Sequence, residues 1–184
     1  MSDASTAAIA ALKERAGVVN ALIDGDQTVL VRHPTLDPGT IDDRFVLYPA
    51  YTHQEPDRYQ PRYEDYYHRA SAKPEDGVPI RAVAEVREEY TVPSDDLEAL
   101  ARHYVYTPDG LRDKHDPDDD LRVLLLRVSA LESPRLIEER GSYRGCRAWI
   151  ELTDAVDVDL ESTTPVLDEP TFAERRAAVR DALE

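Results

Sequence analysis

The sequence predicts an α+β fold: a small, mixed, mostly antiparallel curved sheet or barrel carrying three or four helices. Three observations carry this. Five to seven short apolar or alternating runs are separated by breaks rich in Pro, Gly and Asp. No repeated strand–helix–strand unit appears. Asp24-Gly25-Asp26-Gln27 stands between two apolar runs, the pattern of a tight hairpin. With 184 residues and 41% hydrophobic content, residues 1–184 are expected to form a single domain around one core.

Taken in order, Ser5 or Thr6 caps a predicted helix running to about Arg15, stopped by Gly17. Val18–Ile23 and Thr28–His33 read as the two hairpin strands. Residues 34–43 read as a loop, and Phe45–Tyr48 as a short strand ended by Pro49. Residues 49–79 hold Pro49, Pro56, Pro61, Pro74 and Pro79 and predict a long Tyr/Pro-rich insertion, with a short helix near 62–71. Ile80–Val92 alternates as a long strand does. Ser94 is expected to cap a helix whose stripe is Leu97, Leu100, Ala101, Tyr104 and Val105, at i, i+3, i+4, i+7 and i+8. Residues 107–120 read as an acidic loop, Leu121–Leu131 as the best-buried strand, Arg147–Leu152 as another, and Ala155–Leu160 as an edge strand. Pro170 opens a terminal helix within 165–184.

Thirty-eight acidic residues against twenty-two basic ones give a net charge of −16. Small domains usually carry about 2–8 charges of either sign. Such self-repulsion loosens a fold in dilute salt, and it is screened at molar salt, where the Debye length is about 3 Å. Lysine is reduced to Lys13, Lys73 and Lys114, while arginine is retained. The composition therefore predicts a protein of a salt-accumulating, halophilic archaeal cytoplasm. The expected result is a melting temperature that climbs as potassium chloride is raised; equal stability in dilute buffer would remove the inference.

No apolar run is long enough to span a bilayer, and the start lacks a basic region followed by an apolar one. A single cysteine, Cys146, excludes an internal disulfide and a cysteine zinc cluster. The reading is a cytoplasmic protein with no membrane association, no cofactor and no metal. His103 and His115 do not share a helix face, and 115–120 reads as a solvated acidic loop. A nuclease-like trio of Asp76, Glu85 and Arg87 has Arg where Lys is needed, and exposed strand glutamates explain it as well.

Six of the ten tyrosines lie between 48 and 67, interleaved with His53, Gln54, Arg58, Arg62, His68 and Arg69. Flat rings and guanidinium groups suit nucleobases, although the same rings can simply pin a long loop to the sheet. Residues 121–150 hold six arginines and three glutamates, a basic island in an acidic chain. It offers an anion site or a set of internal ion pairs. Cys146 between Arg144 and Arg147 is either an activated nucleophile or a buried structural thiol.

Three motifs carry a family resemblance: Ala11-Leu12-Lys13-Glu14, Tyr48-Pro49-Ala50-Tyr51-Thr52-His53-Gln54, and Gly145-Cys146-Arg147-Ala148-Trp149-Ile150-Glu151-Leu152. In order and spacing the chain resembles the domain of unknown function 1802 family. It departs at Arg15, where that family often has Trp, and at His33-Pro34-Thr35, where a glycine turn is usual. A fainter likeness, through Ile23, Gly25, Gln27-Thr28-Val29 and Val31-Arg32, is to ASCH and PUA-like RNA-binding barrels.

The resulting expectation is a domain that binds RNA, DNA or a nucleotide. Tyr51 would stack, Arg32 and Arg147 would meet phosphate, and His53 and Gln54 would read a base edge. One alternative is a nucleic-acid-processing enzyme using His53, Glu151 and Cys146. The other is a non-catalytic interaction protein. These predictions require, respectively, one shared cleft, His53 and Glu151 within about 3 Å of each other or of a shared water, or an exposed apolar patch beside the basic island.

Overall fold

The computed structural model describes residues 8–33, 44–113, 115, 118–153 and 158–184. It is an α+β fold with a curved, unclosed seven-stranded sheet. The strands are β1 (Ile9–Arg15), β2 (Val29–Arg32), β3 (Phe45–Ala50), β4 (Val78–Pro93), β5 (Asp120–Ile137), β6 (Trp149–Leu152) and β7 (Thr163–Pro165). Their order is β2-β5-β4-β3-β1-β6, with β7 beside β5. Every pairing is antiparallel except β1 with β3. Five α-helices are described, one more than the upper expectation: α1 (Ala16–Asp24), α2 (Glu64–Ser71), α3 (Leu97–Leu100), α4 (Pro108–Arg112) and α5 (Glu169–Leu183).

The spine is the β4–β5 ribbon, in register from Val78 opposite Ile137 to Pro93 opposite Asp120. Alternation along the strands builds two cores, one on each face of the sheet. Leu12, Phe45, Leu47, Ala82 and Ala84 pack with the helices on one side. Ala11, Val46, Tyr48 and Val83 pack with Tyr143, Ile150 and Leu152 on the other. Ile80 joins the second core although Ala82, two residues on, joins the first. The register shift between them is a bulge, which reverses the side-chain parity.

The start of the chain inverts the expectation. Residues 9–15 form a strand, and the run expected as a strand is the buried helix α1. Gly25 is the left-handed cap of α1, at φ 80°, and not a hairpin turn. The expected amphipathic helix from Ser94 is shorter: a 3-10 turn at Ser94–Asp96, then α3, then a 3-10 turn at Ala101–His103. Tyr104 and Val105 are buried as the stripe required, but they lie beyond the helical turns, with Tyr104 in extended backbone. The 107–120 stretch contains α4, capped by Thr107. Pro49 does not end β3, which continues to Ala50. The predicted caps Ser5 and Thr6 and the 34–43 loop lie outside the described residues, as do residues 155–157 of the predicted edge strand. The short strand found in that region is β7.

The 49–79 stretch is ordered by polar clips as well as rings. Gln60 donates from Nε2 to the carbonyls of Ala101 (2.6 Å), Tyr104 (2.7 Å) and Tyr106 (3.0 Å). Buried Gln27 donates to Val29 O (2.8 Å) and accepts from Val105 N (3.0 Å). These amides tie loop to sheet by satisfying backbone groups that burial would otherwise leave unpaired.

At the curl of the sheet, β2 and β1 are not hydrogen-bonded neighbours. A side-chain clasp joins them instead. Arg32 Nη2 lies 3.0 Å from Glu14 Oε2 and donates to Lys13 O at 3.1 Å. The barrel expectation is thus met by curvature and an ion pair, without backbone closure.

Helix α5 docks through Phe172 and Val179, and through Arg176 and Arg180 on Glu88. Burial pushes the Glu88 carboxyl up, but hydrogen bonds from Arg180, Tyr90 and Arg176 outweigh it and bring the group down to about 2 from 4.5. A depressed carboxyl stabilises above its unfolded value and loses that contribution as pH falls toward the folded one. We therefore expect the melting-temperature gap between wild type and Glu88→Gln to be constant above about pH 5 and to close between about pH 4.5 and 2. A gap independent of pH would contradict this.

Candidate nucleic-acid interface

Six cations gather in an open cleft of about 620 Å³ where the ends of β1, β2 and β3 meet the 139–148 segment. Lys13, Arg15, Arg32, Lys73, Arg144 and Arg147 line it, against the carboxylates of Glu14 and Glu139. Six cations facing two acids leave an excess of four positive charges, in a chain whose net charge is −16. Two of the three lysines in the sequence are among them.

The floor is held rigidly. Glu14 is 5% exposed, pairs with Arg32 and accepts from Arg15 N at 2.7 Å. Lys13 Nζ donates to Tyr143 O (2.7 Å) and Gly145 O (3.0 Å), pinning the 139–148 wall to β1. Lys73 meets Glu139 at 2.5 Å, and Arg144 lies 3.6 Å from the same carboxylate. The Lys73 hydrogen bond, working against burial, holds Glu139 below the usual carboxylate range. Tyr48 closes the base, 1% exposed, its ring edge-on to Tyr143 at 6.1 Å. Burial first, then Glu139 and Tyr143, push its hydroxyl up to about 12.

The rim is less occupied. Tyr51 is half-buried, and its ring packs against no other described aromatic. Burial raises its hydroxyl above 10.0, opposed by Arg81, so the side chain is neutral at ordinary pH. His53 is the one non-glycine described at positive φ, 57°. Its carbonyl accepts from the Arg15 guanidinium, while its ring stays exposed and uncommitted. A strained backbone held at a cleft rim is a common feature of functional sites. Arg147 is exposed and forms no ion pair or hydrogen bond with the described residues.

Of the predicted site residues, Arg32, Tyr51, His53, Cys146 and Arg147 line this one cleft. Gln54 does not: its amide donates to Ala50 O (2.9 Å) and accepts from Tyr59 Oη (3.0 Å), bracing the loop behind the rim. Glu151 lies instead in a neighbouring recess along β6, and no hydrogen bond joins it to His53. Cys146 is exposed, not a buried structural thiol. Among the described residues no cluster of three His, Cys, Asp or Glu side chains is placed to hold a metal, and no helix is long and apolar enough to cross a membrane.

The Tyr/Arg segment turns out to be mostly structural. Tyr59 stacks edge-on with Tyr106 at 4.9 Å, Tyr63 packs on Tyr66, and Tyr66 Oη donates to Asp26 at 2.7 Å. Arg62 covers Tyr63, and Arg69 binds Asp24 at 2.6 Å. In the basic island, Arg122 and Arg127 pair with Glu89 and Glu169, and Arg144 and Arg147 reach the cleft. Sequence reasoning missed Lys13, Arg15, Lys73 and Arg144 as cleft residues. Only Lys13 and Lys73 carried a signal, as two of the chain's three lysines; Arg15 and Arg144 carried none.

The fold is that of an ASCH-like α+β domain. An ASCH protein of Zymomonas mobilis, solved as a serine-to-alanine mutant, superposes with a TM-score of 0.51 at 13% identity, covering 92% of this chain and 94% of that one. The ASCH structure from Zymomonas mobilis without that substitution gives 0.51 at 14% identity, covering 80% and 89%. At such identity the likeness is one of fold. A search of curated protein sequences returned no match. Residues 11–178 match the family described as Domain of unknown function (DUF1802), and the chain belongs to that family.

Proposed function

We propose that the cleft binds a nucleotide or a single strand of nucleic acid. The observation that carries this is the excess of four positive charges around an uncommitted Tyr51 ring, in a chain otherwise dense in acid. Tyr51 stacks a base, Arg147 meets a phosphate, and His53 reads the base edge. Arg32 acts beneath them as the clasp on Glu14 that positions the floor. The ASCH-like fold, associated with RNA binding, supports the reading. Composition supports a setting of concentrated salt, where phosphate contacts weaken and stacking carries more of the affinity.

The cleft reading is preferred to the enzymatic alternative because His53 and Glu151 line different recesses and no direct hydrogen bond joins them. The interaction-protein alternative finds little support, because Leu136 is the one large hydrophobic side chain exposed among the described residues.

Titration of fluorescently labelled single-stranded oligonucleotides and of mononucleotides tests the reading. Stacking on an aromatic contributes about 1–3 kcal/mol per base, so Tyr51→Ala should weaken binding roughly 10- to 100-fold while Tyr51→Phe stays close to wild type. Equal affinity for wild type and Tyr51→Ala, or no binding at any salt, overturns it.

A further inference from the structure

Beside the cleft lies a second open recess of about 520 Å³ along β6, the edge of the sheet. Arg147 lines both. The recess is built from different chemistry. Trp149 forms one wall, half-buried and held edge-on by Phe45 at 5.1 Å. Ser142 and Thr153 supply hydroxyls, and the exposed Glu151 carboxylate supplies an acceptor. Apart from Arg147 no cation lines it.

Resting on the cleft reading, we propose that the ligand is a single strand of at least two nucleotides, crossing Arg147 from the cleft into this recess. The bridging phosphodiester sits on Arg147. One base stacks on Tyr51, and its neighbour enters against Trp149. A phosphate is repelled from the recess by Glu151, whereas a base amino group is not. A carboxylate accepts well from the exocyclic amine of cytosine. The recess therefore favours a base carrying such an amine over uracil. A mononucleotide fills only the cleft and leaves Arg147 facing empty space on one side. The shared chemistry is a stacked strand, from RNA or DNA alike.

Trp149 is the chain's one tryptophan, so tryptophan emission reports from the wall of the recess. The experiment titrates wild type with 5′-phosphorylated mononucleotides, with the dinucleotides pUpC, pCpU and pUpU, and with their deoxy forms. The expected result is binding of dinucleotides about tenfold tighter than mononucleotides, the size of one added stacking contact. Trp149 quenching should come from dinucleotides only, with cytosine-containing ones preferred. Glu151→Ala, at an exposed position, should erase the cytosine preference and leave mononucleotide affinity unchanged. Retention of the binding gain by deoxy forms assigns the site to either nucleic acid, and its loss restricts the site to RNA. Mononucleotide binding with no gain and no quenching by dinucleotides overturns this inference and spares the cleft reading. Absence of binding by both overturns the two together.

Discussion

Methionine in place of Arg32 yields a protein that melts about 6–12 °C below wild type, the shift expected for a loss of about 3 kcal/mol in a domain of this size. The reason is the carboxylate left behind. Glu14 is 5% exposed, and Arg32 is the cation on it at 3.0 Å. Removing one member of a buried pair costs about 3–5 kcal/mol. The low end applies because Arg15 N still donates to Glu14. The double change Glu14→Gln with Arg32→Met should recover much of the loss, since no buried charge remains. Thermal or urea unfolding of the four proteins in the cycle measures this. A single variant as stable as wild type would mean that the clasp contributes nothing to holding β1 against β2. Strand binding should fall with the clasp, because Lys13 and Arg15 of the cleft flank Glu14 on the same strand.

The second large effect lies outside the cleft. A Cβ at Gly17 would stand 2.0 Å from Tyr59 Oη and 2.8 Å from its Cζ. Alanine favours a helix over glycine by about 1 kcal/mol, which alone predicts stabilisation. The clash wins, because Tyr59 is 5% exposed and wedged edge-on against Tyr106, so its ring has nowhere to swing. Overpacking of this kind costs about 1–3 kcal/mol. Gly17→Ala should therefore destabilise by about 2 kcal/mol. It should also weaken ligand binding, because displaced Tyr59 releases Gln54, which braces Ala50 beside Tyr51. Tyr59→Phe removes the closest atom and should rescue part of the stability in the double variant. Additive losses would show that the two residues do not meet.

Which parts of this were legible in the sequence follows from where the physics is local. Strand β4 alternates as expected, β5 begins on the apolar run that marked it but continues six residues past Leu131, and Pro170 placed α5 within a residue. The first 25 residues failed for an identifiable reason. Ala10-Ala11-Leu12-Lys13-Glu14-Arg15 has high helix propensity but occupies an interior strand between β3 and β6. Val18-Val19-Asn20-Ala21-Leu22 looks like a strand but is a helix buried on every side, where periodicity gives no signal. Asp24-Gly25 served as a helix cap because a glycine at positive φ suits both roles.

The cleft was half legible. Tyr51, His53, Cys146 and Arg147 sit in short motifs, and they do share one cleft. Lys13 and Lys73 arrive from distant strand and loop positions that only the curl of the sheet brings together. Gln54 was misplaced because a polar side chain in a motif can face the loop as readily as the solvent.

The Gln60 amide, with three carbonyls on one nitrogen, also bears on how the molecule ages. Hydrolysis to glutamate would turn a shared donor into a negative oxygen facing three acceptors and prise the tyrosine-rich segment from its seat. The spontaneous route to that lesion runs through a cyclic imide and needs the backbone N–H of the following residue. Pro61 follows, and proline has none. The joint most damaged by deamidation is thereby closed to its usual chemistry, and it should outlast asparagine and glutamine sites elsewhere in long-stored protein.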